Sequence, residues 1–295
     1  MSSQSQGSAV VRAETLLSGL VIGESPRWHE GRLWFAHWGT GEIVAVDLEG
    51  RSEVVGEGPP GLGWSIDWLP DGRLLVTGQG LTRREPDGSM VEHADMSGLG
   101  VDDFNEIVVD GRGNVYVNGG CDFHPGEGDA PGIIALVTPD GSVRLVADGI
   151  AFPNGMAVTA DNSTLIVSES FARRLTAFDI AADGSLSNRR AWADGVGPDG
   201  ICSDAGGAIW TGVGEFGENL VGRVRDGGEV LERVKIDMAC FACMLGDENR
   251  STLFMLAADW RMTEGFEDNI ARLTEGPRTG QVLTAPAPAA GAGWP

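Results

Sequence analysis

The chain has 295 residues, enough for one large repeat or barrel domain, and its 45 glycines, nine tryptophans and near absence of lysine describe a turn-dense β protein rather than a helical one. Its 43 acidic against 21 basic side chains leave a net charge of −22, which repels nucleic-acid phosphates and anionic lipid and suits the binding of cations. Four cysteines, Cys121, Cys202, Cys240 and Cys243, are too few and too scattered for a disulfide scaffold.

Residues 1–12 read as a disordered polar tail; Met1 to Gln6 has no basic segment followed by an apolar core, and no apolar run approaches a membrane span. A cytoplasmic protein with no membrane partner is expected. A repeating unit then begins, built from a strand of small and apolar residues, an Asp/Gly turn and a strongly apolar strand. The first unit has Glu24 at the start of its first strand, Leu33-Trp34-Phe35 as its second and Ile43 to Asp47 as its third. The next carries Trp64, the turn Pro70-Asp71-Gly72 and Leu74-Leu75-Val76; the third carries Asn105, Asp110 to Gly113, Val115-Tyr116-Val117 and Ile133 to Val137. The fourth has Asn154, Asp161-Asn162, Leu165-Ile166-Val167 and Leu175 to Ile180, and the fifth Asp199, Asp204 to Gly207, Ile209-Trp210-Thr211 and Leu220 to Val224. In the sixth, Phe241 and Leu253-Phe254-Met255 lead to an expected third strand at Asn269 to Leu273, and the fourth strand is supplied either by Gln281 to Leu283 or by Thr15 to Leu17.

The aligned first-strand positions lie 40 to 49 residues apart, the size of a propeller blade. The fold expected is all-β, a six-bladed β-propeller of four-stranded antiparallel blades over 13–283, followed by a second disordered tail at 284–295. A sandwich or solenoid fits less well, because the connections are short and no crossover helices separate the strands.

Residues at one register of the innermost strands converge on the tunnel axis. Four of the six carry oxygen donors, Glu24, Asn105, Asn154 and Asp199, while Trp64 and Phe241 fill the other two. Two carboxylates and two amides suit a hard, calcium-sized cation, whereas structural zinc would want Cys and His. Asn154-Gly155 and Asp199-Gly200 also have the composition of ordinary turns, but turn chemistry does not require an oxygen donor at one register of four blades. No Gly-x-Ser-x-Gly elbow, phosphate loop, EF-hand or His-Glu-x-x-His competes with this site.

Gly23-Glu24-Ser25-Pro26-Arg27-Trp28, Phe152-Pro153-Asn154-Gly155-Met156 and Pro198-Asp199-Gly200-Ile201-Cys202 resemble the SMP-30/gluconolactonase/luciferin-regenerating-enzyme-like family across the propeller. The resemblance implies metal ligands at Glu24, Asn154 and Asp199, a substrate-contacting Asn105, and lactone hydrolysis assisted by one divalent cation, calcium foremost, with zinc, manganese or magnesium as alternatives. Sugar lactonases of the family have an arginine where Asp103 stands, which points to a substrate other than an aldonolactone. Asp199 is open to three roles, as base, nucleophile or ligand.

Loops returning to the same face, at 119–131, 169–173, 214–219 and 258–268, bring Trp38, Trp64, Phe104, Phe123, Phe152, Phe171, Phe216 and Trp260 toward the mouth and suggest a substrate with an apolar portion. Blade packing is the plain alternative for these rings. Asn105, Asp103, Trp64, Phe123 and His124 are the candidate substrate contacts; Cys240 and Cys243 read as packing residues. Three functions follow: a metal-dependent lactone or ester hydrolase, a phosphotriester hydrolase on the same site, and a non-catalytic calcium- or ligand-binding propeller. The charge and composition leave oligomeric state open.

Overall fold

The computed structural model describes residues 11–120, 131–214, 218–261 and 263–295. Phe123, His124, Cys121 and Phe216 lie outside the described residues. Six antiparallel sheets follow one another along the chain as blades.

Blade one is formed by Ile22–His29, Arg32–Trp38, Glu42–Val46 and Ser52–Glu57, and blade two by Ile66–Trp68, Leu74–Thr77, Leu81–Arg84 and Met90–Ala94. Blade three comprises Phe104–Val109, Val115–Gly119, Gly132–Val137 and Val143–Ile150; blade four, Pro153–Val158, Thr164–Glu169, Arg174–Ile180 and Leu186–Asp194. Blade five has Cys202–Ser203, Ile209–Gly212, Leu220–Val224 and Val230–Lys235. Blade six has Ala239–Gly246, Thr252–Ala258 and Gly280–Pro286, and is completed at its outer edge by Glu14–Leu20 from near the start of the chain. Both candidate segments therefore belong to the last blade, Gly280–Pro286 as third strand and Glu14–Leu20 as fourth.

The inner strands are buried on both faces because each blade lies between two others, which is why they read as continuous apolar runs rather than alternating ones. Val108, Tyr116, Leu136, Met156, Val158 and Leu165, for example, form one cluster shared by blades three and four.

Three expectations need correction. Asn269 to Leu273 is not a strand but part of an α-helix, Phe266–Glu275, inserted between the second and third strands of blade six. Glu267 and Asp268 in its first turn and Arg272 in its last complement the helix dipole, and the buried Asn269 amide ties the preceding loop by accepting from the Arg261 N–H at 2.7 Å and donating to the Arg261 and Gly265 carbonyls. Residues 284–295 are not a disordered tail: the third strand runs to Pro286, and the rest forms a strap across the ends of the innermost strands. Its backbone bonds to Arg250, Ser203, Ala205 and Val158, linking blades six, five and four, and the Trp294 ring covers Gly111 of blade three. At the other terminus Val11–Arg12 are strand rather than tail, pairing in parallel with Val234 and Lys235 of blade five. No helix among the described residues is long and apolar enough to cross a membrane.

Candidate metal and catalytic site

The innermost strands of blades one, three, four and six each break register where the axial residue sits: between Glu24 and Arg27, Phe104 and Ile107, Pro153 and Met156, and Cys240 and Ala242. Such bulges re-aim side chains that regular pleating would send into the blade faces. Ser25 (φ 51°) and Phe152 (φ 58°) hold left-handed backbone beside two of these breaks, a strained conformation for residues with a side chain. Gly155 and Gly200 have no such φ, so Asn154-Gly155 and Asp199-Gly200 are not turns of that kind. The glycines serve close approach instead: a Cβ on Gly155 would lie 2.6 Å from the Asp199 carbonyl, and one on Gly200 would overlap Ala242.

Glu24 is buried and takes the Ser25 N–H on Oε2 at 3.0 Å. Burial, then the charges of Asp199 and Glu106, push its carboxyl well above the usual range, against the pull of the Ser25 N–H and Arg27. Asp199 is pushed up to about 8, chiefly by burial and then by Glu106, while the Asn154 side chain and the Gly200 N–H draw it down. An amide that donates to Asp199 through nitrogen keeps its oxygen for a cation. One oxygen of Asp199 and the side-chain oxygen of Asn105 are buried without a hydrogen-bond partner, a costly state unless something electropositive meets them.

Glu106, next to Asn105 at the blade-three bulge, belongs to the same cluster. Ser65 Oγ donates to it at 2.7 Å, and Arg27 Nη2 stands 3.6 Å from its other oxygen. Arg27 is also 3.6 Å from Asp67, whose carboxyl burial raises despite that guanidinium. Three buried carboxylates, Glu24, Asp67 and Glu106, thus share Arg27, the sole buried arginine among the described residues, and the Asp199 carboxyl adds a fourth negative group beside Glu24 and Glu106. The excess negative charge and the unpartnered oxygens fit a divalent cation. Among the described residues no three His, Cys, Asp or Glu side chains form a ligand set on their own, so the amide oxygens of Asn105 and Asn154 are needed to complete one. The nearby Cys240 thiol is pushed well up by burial and by Cys243, unlike a thiolate ligand; Cys202 and Cys243, with sulfurs 3.9 Å apart, pack between blades five and six.

Asp103 is exposed, and its backbone carbonyl accepts from Gly120. Trp64 is fully buried among Ala36, Ile43, Ile66 and Val76 and closes over Gly58, so the expected substrate contact gives way to core packing; Phe104 is likewise core. The rim keeps two aromatic groups. Phe152 stacks on the exposed Phe171 at 4.3 Å, and Trp260 meets Phe241 and Phe266 edge-on at 5.8 and 5.5 Å. Glu169 anchors the first group: it accepts the Ala151 N–H at 2.9 Å, takes the Thr176 hydroxyl and pairs with Arg174 and Arg189 at 3.3 and 3.1 Å. Burial acts to raise its carboxyl, but these partners together hold it below the usual range.

The model of the SMP-30/gluconolactonase/LRE-like region matches residues 22–259. A pentonolactonase of Haloferax volcanii is 31% identical over 64% of this chain and 66% of its own length, and a diisopropyl-fluorophosphatase of Loligo vulgaris 28% identical over 52% and 55%. The chain therefore spans less than two thirds of either relative. The solved structure of a calcium-binding regucalcin from Agrobacterium tumefaciens superposes with TM-score 0.74 at 20% identity, covering 97% of each chain.

Proposed function

The chain belongs to the SMP-30/gluconolactonase/LRE-like family, and we propose that it is a divalent-metal-dependent hydrolase that opens a lactone other than an aldonolactone. The observation carrying this reading is the pair of buried, unpartnered oxygens on Asp199 and Asn105 amid the Glu24 and Glu106 charges. Glu24, Asn154 and Asp199 would hold the ion, calcium in the first instance, which would supply electrophilic polarisation of the ester carbonyl. Asn105 would complete the cation's oxygen shell from its bulge and orient the substrate oxygen beside it. Asp199 takes the proton of the attacking water as the water oxygen bonds to the carbonyl carbon; the ring C–O bond then breaks, and the proton passes to the departing alkoxide. The stacked Phe152 and Phe171 and the exposed Asp103, in place of a cationic side chain, favour an ester bearing an apolar or aromatic group. The small-molecule ester is the partner proposed.

The test is turnover by chelator-stripped protein on aliphatic, aromatic and sugar lactones, with calcium, zinc, manganese and magnesium returned separately. Metal-restored opening of apolar lactones is expected. Similarity to the diisopropyl-fluorophosphatase favours a second reading, phosphotriester hydrolysis at the same site, and a fluorophosphate in the panel separates the two. Metal binding with no turnover on either class would overturn both in favour of a propeller braced by its ion.

A further inference from the structure

One register of the second strand, beside the axial residue of the same blade, is occupied by Ala36, Thr77, Asn118, Ser168, Gly212 and Leu256. Three of these donate to the next blade's axial residue. Thr77 Oγ1 donates to the Asn105 carbonyl at 2.5 Å, Asn118 Nδ2 to the Asn154 carbonyl at 2.7 Å and Ser168 Oγ to the Asp199 carbonyl at 2.7 Å. Asn118 also accepts the Glu106 N–H on Oδ1 at 3.1 Å, so one amide joins the blade-three bulge to the blade-four donor. All three side chains are buried, where water does not compete and each bond is correspondingly stronger.

The pattern follows the chemistry of the next blade. Gly212 has no side chain to donate, and the blade after it carries Phe241 at the axis; its neighbour Thr211, one register off, is fully buried with its hydroxyl unpartnered. Ala36 precedes Trp64. Leu256 precedes Glu24, which is fixed otherwise: the Ser25 N–H holds its carboxylate, and Ser25 Oγ exchanges hydrogen bonds with the Ile66 carbonyl and N–H at 3.2 and 3.0 Å.

We propose that Thr77, Asn118 and Ser168 are positioning residues for the axial cation site, each fixing the peptide plane, and so the side-chain direction, of the oxygen donor in the following blade. Locking a carbonyl at a bulge removes the freedom that the broken ladder leaves there. Outer partners of this kind typically contribute 10- to 100-fold to metal affinity. This rests on the metal-site reading of the proposed function.

The measurement is calcium affinity of the chelator-stripped full chain by titration calorimetry, with metal-free unfolding temperatures beside it. Thr77→Val and Ser168→Ala are expected to weaken calcium binding by about 10- to 100-fold, Thr77→Ser and Ser168→Thr to restore it, and Thr211→Val to leave it unchanged. If Ser168→Ala does not fold, the Thr77 pair decides. Wild-type protein that takes up none of calcium, zinc, manganese or magnesium would sink the metal reading itself. Wild-type binding with unchanged affinity in Thr77→Val and Ser168→Ala would overturn the positioning role alone, as would a loss in Thr211→Val equal to theirs.

Discussion

Asp199 and Asp204 flank one short inner strand, Cys202–Ser203, and the protein treats them in opposite ways. Asp204, at the end away from the mouth, accepts the Gly206 and Ala208 N–H groups at 2.8 and 3.2 Å and pairs with Arg223 at 2.6 Å. Asp199 keeps one buried oxygen without a partner among like charges. The same contrast runs round the ring: turn aspartates such as Asp110 are fully engaged by their own loops, whereas the mouth accumulates bulges, left-handed backbone and uncompensated carboxylates. Stability is gathered at one end of the inner strands and withheld at the other, where a ligand can restore it.

The contrast can be broken from either side. The largest effect expected is on Asp199→Ala, a fall in metal-restored turnover of about 10²- to 10⁴-fold with no drop in metal-free unfolding temperature, because a repelled carboxylate has been removed; kinetics and calorimetry on one preparation check both. Asp204→Ala should do the reverse, costing about 3–5 kcal/mol of stability by stranding Arg223 while the folded fraction keeps its specific activity, read by denaturant unfolding. Calcium at 100 times its Kd should stabilise the wild type by about 2.7 kcal/mol and leave Asp199→Ala unmoved.

The smallest effect separates acid lability at Glu169 from the mouth's other carboxylates. Its folded pKa lies below the unfolded value, so the stability it contributes is present above the unfolded pKa and lost as pH falls through the folded one. Glu169→Gln should flatten that acid limb of the unfolding temperature; an unchanged limb would show that the Ala151 and arginine contacts do not depend on its charge.

The six blades, and the register that brings Glu24, Asn154 and Asp199 together, were legible in the sequence because apolar triplets and Asp/Gly turns recur along the chain and mark that register. Asn269-Ile270-Ala271-Arg272-Leu273 was misread because five residues do not separate a period of two from one of 3.6. Composition reads the last residues as a tail because it counts side chains, while their anchorage is mainly backbone bonding to Val158, Ser203 and Arg250. Glu106 escaped because alternation puts neighbours on opposite faces, a rule suspended at the bulge between Phe104 and Ile107. Trp64 looked like a mouth residue until Gly58 supplied the hollow that buries it.

The strand Glu14–Leu20 closes blade six, pairing Glu14 with Thr284, and the chain then passes directly into blade one and Glu24. Glu24, the first of the proposed cation donors, thus hangs from the clasp of the ring. Until the two ends of the chain have met, at the loop-closure entropy that so distant a pairing requires, Glu24 has no fixed place opposite Asn154 and Asp199. On the proposed metal reading, ion capture follows ring closure, and a bound cation would certify a finished circle.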